Sequence, residues 1–147
     1  MPYNEVEILF VEDSSEDAML TMRALKKSGF ANKLYHVKDG AQALDFLYCR
    51  GDYALRNTKE KPKLILLDLK MPKISGFEVL EKIKSDPALK SIAVVILSSS
   101  KEDPDIQRCY ALGANSYIAK PVESDNFFNA IKEIGLYWVI LSQAPAL

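Results

Sequence analysis

Residues 63–72, KLILLDLKMP, constrain the fold of this chain more tightly than any other stretch. Positions 64–67 are an unbroken apolar run of strand length. A run with no polar alternation suits a strand buried on both faces, the setting of a parallel sheet. The run stops at Asp68, so a carboxylate sits where the strand leaves the core. In open α/β sheets ligands bind at the carboxyl ends of the strands, which places Asp68 for chemistry rather than packing. A lone Asp after a strand can equally do no more than cap a loop, and the rest of the chain has to decide. Pro72 ends the extended segment. Ser75 then reads as a helix N-cap, with Glu78 as its partner in a capping box.

The same pattern recurs along the chain. EILFV at 7–11 is a first buried strand and ends in Glu12 and Asp13. Ser14 is the N-cap of the helix behind it, with Asp17 at N3 and Ala18, Met22 and Leu25 on one face. Ser28 and Gly29 close that helix. Residues 30–37 form a more polar strand, placed at a sheet edge, and Asp39 with Gly40 makes a turn and cap before a helix at 41–49. Residues 50–62, RGDYALRNTKEKP, are a polar connector long enough to mark an insertion. After the central strand and its helix, IAVVIL at 92–97 is another apolar strand, ending in Ser98. Asp103 and Pro104 form an N-cap and N1 pair for a helix carrying Ile106, Cys109 and Tyr110 and stopped by Gly113. A short strand at 116–119 ends in Lys120 and Pro121, and Ser124 starts a last helix running to about Leu141. A βα unit repeated five times implies one domain over 1–147, with a parallel sheet and helices on both faces, because parallel neighbours need right-handed crossovers.

The ends of these strands define a site. In a parallel sheet Glu12, Asp13, Asp68, Ser98 and Lys120 all fall on one edge. Three carboxylates gathered there raise one another's pKa unless a cation relieves them. Mg²⁺, which takes a few carboxylate oxygens and keeps several waters, fits that need. Lys120 and the Ser98 hydroxyl then offer a charge and a donor to an oxyanion, such as a phosphoryl group carried on Asp68. Other chemistries have less to work with. The net charge is −1 with both signs mixed along the chain, which argues against a nucleic-acid surface. No apolar run approaches membrane-spanning length, and the N-terminus lacks a signal-peptide pattern. Cys49 and Cys109 have no metal or redox spacing and read as reduced thiols of a cytoplasmic protein. The single histidine, His36, reads as a strand residue.

On Val11–Glu12–Asp13, the run 67–72, Ser98, Tyr117 and Lys120–Pro121, with their spacing, the sequence resembles the receiver domains of two-component response regulators across almost its whole length. Within that family it is most similar to single-domain regulators associated with phytochrome-type histidine kinases, through the insertion at 50–62 and the aromatic C-terminal end. The resemblance implies a flavodoxin-like, doubly wound five-stranded sheet of strand order 2-1-3-4-5. It implies that Asp68 is the phosphoacceptor, attacking a phosphohistidine of a sensor histidine kinase. Asp13 and Asp68 would bind Mg²⁺ directly, Glu12 through water, and the Lys70 backbone carbonyl as a further ligand. Ser98 and Lys120 would hold the phosphoryl oxygens, Tyr117 would be the switch aromatic, and Lys120–Pro121 would be cis. Glu12 stands where the family more commonly has Asp, and Ser98 where it has Thr; both keep the chemistry.

No output domain is expected after the last helix, so the signal leaves through a surface of the domain itself. Phe127, Ile131, Ile134 and Trp138 form one face of that helix, and LYWVIL at 136–141 is apolar nearly all round. Such a patch marks an interaction site, and a homodimer over the helix and its extension, 124–147, is expected, with Tyr137, Val139, Ile140 and Leu141 beyond the docking footprint. Two rival readings differ in kind. A haloacid-dehalogenase-type phosphatase also uses a phosphoaspartate but needs an acid two residues later, where this chain has Lys70. A pseudo-receiver that only binds partners typically lacks an acid or the lysine, and this chain has all of them.

Overall fold

The computed structural model describes residues 6–27, 29, 33–99 and 102–135. Strands and helices alternate in the order β1 (Ile8–Val11), α1 (Ser15–Lys27), β2 (Leu34–Val37), α2 (Gly40–Leu47), β3 (Leu64–Asp68), α3 (Gly76–Ser85), β4 (Ala93–Ser98), α4 (Asp103–Ala111), β5 (Ser116–Ala119) and α5 (Ser124–Glu133). The strands form one sheet in the order β2-β1-β3-β4-β5, with parallel pairing throughout. The central position of β3 follows from its composition. Leu64, Ile65, Leu66 and Leu67 are all fully buried, and only a strand covered on both faces can hide four consecutive leucine-type side chains.

Period-two alternation divides the core. Ile8, Phe10, Leu64, Leu66, Val95 and Leu97 face α1 and α5 and pack on Ala18, Leu25, Phe127 and Ile131. Leu9, Val11, Ile65, Leu67, Val94 and Ile96 face the other way, onto Phe46 and Leu47 of α2, Val79, Leu80 and Ile83 of α3, and Cys109 of α4. The β2 strand, the more polar one, lies at an edge as its composition suggests. The capping box at Ser75 and Glu78 forms in both directions, and Asp39 caps α2 through the Gln42 N–H at 2.8 Å.

Several local expectations are corrected. The buried face of α1 is Ala18, Thr21, Ala24 and Leu25, while Met22 is exposed; Thr21 is one helical step nearer the sheet and displaces it. The N-cap position of α4 is Glu102, not Asp103, and no side chain caps it. With Pro104 already supplying a residue that needs no N–H partner, the helix starts one residue earlier. On α4 only Cys109 is buried, and Tyr110 is exposed. The last helix is seen as far as Glu133, and Gly135 follows with φ +79°. The expectations for Ser28, for 30–32 and for Trp138 and the rest of 136–147 lie outside the described residues.

The connector at 50–62 is polar in sequence but anchored in the fold. It contains a single 3₁₀ turn, Gly51–Tyr53, whose Tyr53 is buried. Tyr53 meets Phe46 edge-on at 5.2 Å between centroids, and its hydroxyl lies 3.1 Å from that of Tyr35. Arg56 is only 6% exposed. Its guanidinium stacks 3.8 Å over the Phe46 ring, and it donates to the Phe46 carbonyl, to the Glu60 carbonyl at 2.6 Å and to Cys49 Sγ at 3.2 Å.

Candidate functional site

The parallel register carries the sequence motifs to one edge. Val11 pairs with Leu67, so Glu12 and Asp68 sit one step further along adjacent strands. Asp68 pairs with Leu97, and Ser98 with Ala119. The Lys120 N–H donates to the Ser98 carbonyl at 2.8 Å, which extends the ladder to the lysine. The peptide bond between Lys120 and Pro121 is cis, as expected.

The side chains converge on a lysine. Lys120 Nζ lies 2.6 Å from Glu12 Oε1, 3.0 Å from Asp17 Oδ2 and 3.2 Å from Asp68 Oδ1. Glu12 is buried and is tied back to α1 through the Ser14 N–H, 3.3 Å from Oε2. Its Oε1 has charge contact with Lys120 but no well-directed hydrogen bond. Asp68 is buried and Asp13 exposed, and carboxylate oxygens of Glu12, Asp13 and Asp68 lie within 4.8 Å of one another. Ser98 is buried at the end of β4. Tyr117 is half-buried on β5 and packs against the core on the α4 side of the sheet. Lys70 is exposed, two residues past Asp68.

The electrostatics reflect this crowding. Burial pushes the Glu12 carboxyl up to about 7, with the close contact of the Lys120 ammonium opposing and the Asp68 charge adding to the rise. Burial likewise raises the Asp68 carboxyl, against the charge of Lys120. Burial works against the charge on Lys120 itself, but its contacts with the Glu12 and Asp17 carboxylates and the charge of Asp68 outweigh it and hold the ammonium above the ordinary lysine range. The donor set tests well for a hard cation: oxygen ligands only, two of the three carboxylates buried, a buried oxygen lacking a directed hydrogen bond, and more negative charge than one lysine balances. Glu12, Asp13 and Asp68 therefore fit a small divalent ion.

Close packing fixes where Asp68 stands. Gly76, the first residue of α3, lies so near the end of β3 that a Cβ there would be 2.2 Å from the Asp68 carbonyl oxygen. Its N–H donates to the Leu69 carbonyl at 2.8 Å.

Asp17 is the site residue that sequence reasoning missed. It reads as a helix N3 acid, and its N–H does take the Ser14 cap at 3.2 Å, yet its carboxylate turns to Lys120. The available signal was a further acid within one turn of Glu12 and Asp13.

A model of the response regulator receiver domain matches residues 8–132. The chain belongs to that family. Among its relatives are regulators of similar length. The bacteriophytochrome response regulator RtBRR is 46% identical, with 94% of this chain and 82% of that one covered and a TM-score of 0.84. The response regulator Rcp1 of Synechocystis sp. is 38% identical over 95% of this chain and 92% of its own length, and its Mn²⁺-bound structure matches with a TM-score of 0.72. The phosphorylated cyanobacterial phytochrome response regulator RcpA is 39% identical, covering 96% of this chain and 99% of that one, with a TM-score of 0.73. This receiver is thus similar to phytochrome-associated regulators, and the strand order and acidic pocket are those of its family. Among the described residues no helix is long and apolar enough to cross a membrane.

Proposed function

We propose that the protein is a single-domain response regulator that takes a phosphoryl group from a sensor histidine kinase, of phytochrome type, onto Asp68 in a Mg²⁺-dependent reaction. The observation that carries this reading is the ammonium of Lys120 held between the buried carboxylates of Glu12 and Asp68 at one sheet edge, with Asp13 beside them. The phosphorylated state named for RcpA and the metal named for Rcp1 support it.

In this reading an Asp68 carboxylate oxygen attacks phosphorus. The bond from phosphorus to the histidine nitrogen breaks, and the leaving imidazole keeps the electron pair. Lys120 and the Ser98 hydroxyl bind the phosphoryl oxygens, and Tyr117, on the strand that delivers Lys120, is the switch aromatic. Glu12, Asp13, Asp68 and the Lys70 carbonyl would hold Mg²⁺, which when bound supplies positive charge against the carboxylates and the phosphoryl oxygens. The protein acts in the cytoplasm as a signalling phosphoacceptor rather than as an enzyme on an external substrate. Its signal passes by protein–protein contact, through a homodimer built on α5 and residues 136–147, with neither nucleic acid nor membrane as partner. The phosphatase alternative lacks its second acid, since Lys70 stands there and is exposed.

Intact mass after incubation with Mg²⁺ and acetyl phosphate tests the reading. One phosphoryl group on the wild type and none on Asp68→Asn is expected. Full labelling of Asp68→Asn would sink the assignment, and catalytic release of phosphate from added phosphomonoesters would favour the phosphatase.

A further inference from the structure

The Lys120 ammonium has three N–H donors, and three carboxylates surround it, those of Glu12, Asp17 and Asp68. Phosphorylation turns the Asp68 carboxylate into an acyl phosphate, and its anionic phosphoryl oxygens draw Lys120 more strongly than the single carboxylate contact they replace, at the expense of Glu12 or Asp17. These two are not equally displaceable. The Glu12 side chain is fully buried, whereas Asp17 is 42% exposed. Stripping the cation from a buried carboxylate leaves an uncompensated charge in the interior, which is costly. Asp17, once released, is taken up by water. Glu12 and Asp68 also stand at the ends of strands locked in the ladder, while Asp17 stands on the first turn of α1.

We propose that Asp17 is a positioning residue of the phosphoacceptor site: it holds Lys120 in the unphosphorylated protein and is the partner that a phosphoryl group on Asp68 displaces. This rests on Asp68 being the phosphoacceptor, as argued above. No bond to Asp17 forms or breaks; the exchange is of acceptors on the Lys120 ammonium. It carries the state of Asp68 to the surface, because Asp17 also lines an open cleft with Leu20, Thr21, Pro121 and Val122. Phosphorylation then leaves an unpaired carboxylate on the wall of that cleft.

Beryllofluoride with Mg²⁺, which mimics a phosphoryl group on a carboxylate, gives the test by calorimetric titration. Asp17→Asn should bind it about fivefold more tightly than wild type, the range of a partly exposed ion pair. Asp17→Glu, which keeps the charge, should stay near wild type. Glu16→Gln removes the same charge from the same turn, where the side chain is exposed, and should shift affinity less than twofold. Equal gains in Asp17→Asn and Glu16→Gln would reduce the effect to general electrostatics and overturn the proposal, as would unchanged or weaker binding by Asp17→Asn. A second measurement needs neither metal nor phosphoryl mimic: urea unfolding of Asp17→Asn, Lys120→Gln and the double variant in chelator. Non-additive stabilities are expected, and strict additivity overturns the pairing. Wild-type protein that binds no beryllofluoride and is not labelled at Asp68 overturns the phosphoacceptor reading itself; labelling at Asp68 with an unaltered Asp17→Asn affinity overturns this proposal alone.

Discussion

Gly76→Ala reverses the sign that helix propensity alone would give. Gly76 lies in a helix, and replacing a helical glycine by alanine ordinarily gains up to about 1 kcal/mol. Here the new Cβ would sit 2.2 Å from the Asp68 carbonyl oxygen, 2.6 Å from Leu69 Cα and 2.9 Å from the Asp68 carbonyl carbon. All three are backbone atoms, so no rotamer change relieves the clash. Reaching ordinary contact, which begins at 3.4 Å, moves the carbonyl by about 1.2 Å and strains the 2.8 Å hydrogen bond from the Gly76 N–H to the Leu69 carbonyl. Overpacking of this kind costs about 1–3 kcal/mol, and a weakened hydrogen bond about 1 kcal/mol more. After the propensity gain, a net loss of about 2 kcal/mol remains, a fall in Tm of roughly 4–8 °C. Gly40→Ala is the matched comparison, because Gly40 also opens a helix. Its Cβ would meet the Val79 Cγ2 methyl at 2.8 Å and the Ile74 side chain and carbonyl at 3.1 Å, so its closest clash is with a side-chain end that can give way, and the loss should be smaller. Urea unfolding measures both. Because the displaced carbonyl belongs to Asp68, labelling by acetyl phosphate should also slow in Gly76→Ala and not in Gly40→Ala. A Gly76→Ala protein as stable as wild type, or no worse than Gly40→Ala, would refute the reasoning.

Three further outcomes are expected. The Tyr48 hydroxyl donates to Asp86 at 2.5 Å and holds that carboxyl below its ordinary value; since the folded pKa is depressed, the contribution is complete above about pH 4 and is lost as pH falls through the folded value, so Tyr48→Phe should be destabilised at pH 7 and converge on wild type in acid, in urea titrations across pH. Arg56→Ala strips the buried Phe46 carbonyl and the Glu60 carbonyl of a charged donor and should cost about 2–4 kcal/mol, with trypsin cutting at Lys59 or Lys61 sooner than in wild type; a loss under 0.5 kcal/mol would mean the guanidinium does not anchor the connector. In sedimentation, wild type should dimerise and a chain ending at Ile134 should not; a wild type monomeric at tens of micromolar, with and without phosphodonor, would remove the dimer.

What could be seen in the sequence follows the range of the interaction involved. The strands were visible because burial on both faces writes an unbroken apolar run into four to six consecutive residues, as at 64–67 and 92–97. Glu12, Asp68 and Lys120 were visible because topology alone carries strand ends to one edge. Asp17 was not, since its partner lies 103 residues away and its own position satisfied a local role at N3 of the helix. Arg56 was hidden for a related reason. An arginine in the run RNTKEK reads as solvated, and nothing local reveals that the Phe46 ring and carbonyl lie in reach. The misplaced Met22 and the α4 cap were errors of a single residue. There helix periodicity or capping preference offers two near-equal choices, and tertiary packing chooses between them.

The site divides into a fixed half and a half held more lightly. Glu12 and Asp68 extend β1 and β3, each paired on both sides in the middle of the sheet, and Gly76 packs against the backbone of Asp68 with no room to spare. Lys120 arrives from β5, an edge strand of four residues paired only with β4, and Asp17 arrives from an exposed turn of α1. Elements paired on one side and short open at lower free energy than central strands. A charge placed on Asp68 therefore meets acids that hold their positions and a cation whose supporting strand can adjust. Tyr117 lies on that same strand, three residues before Lys120 and half-buried. In the proposed reading, a shift of the lysine would pass along β5 to this half-buried ring, which packs against the core, and the rigid centre of the sheet would have no need to move.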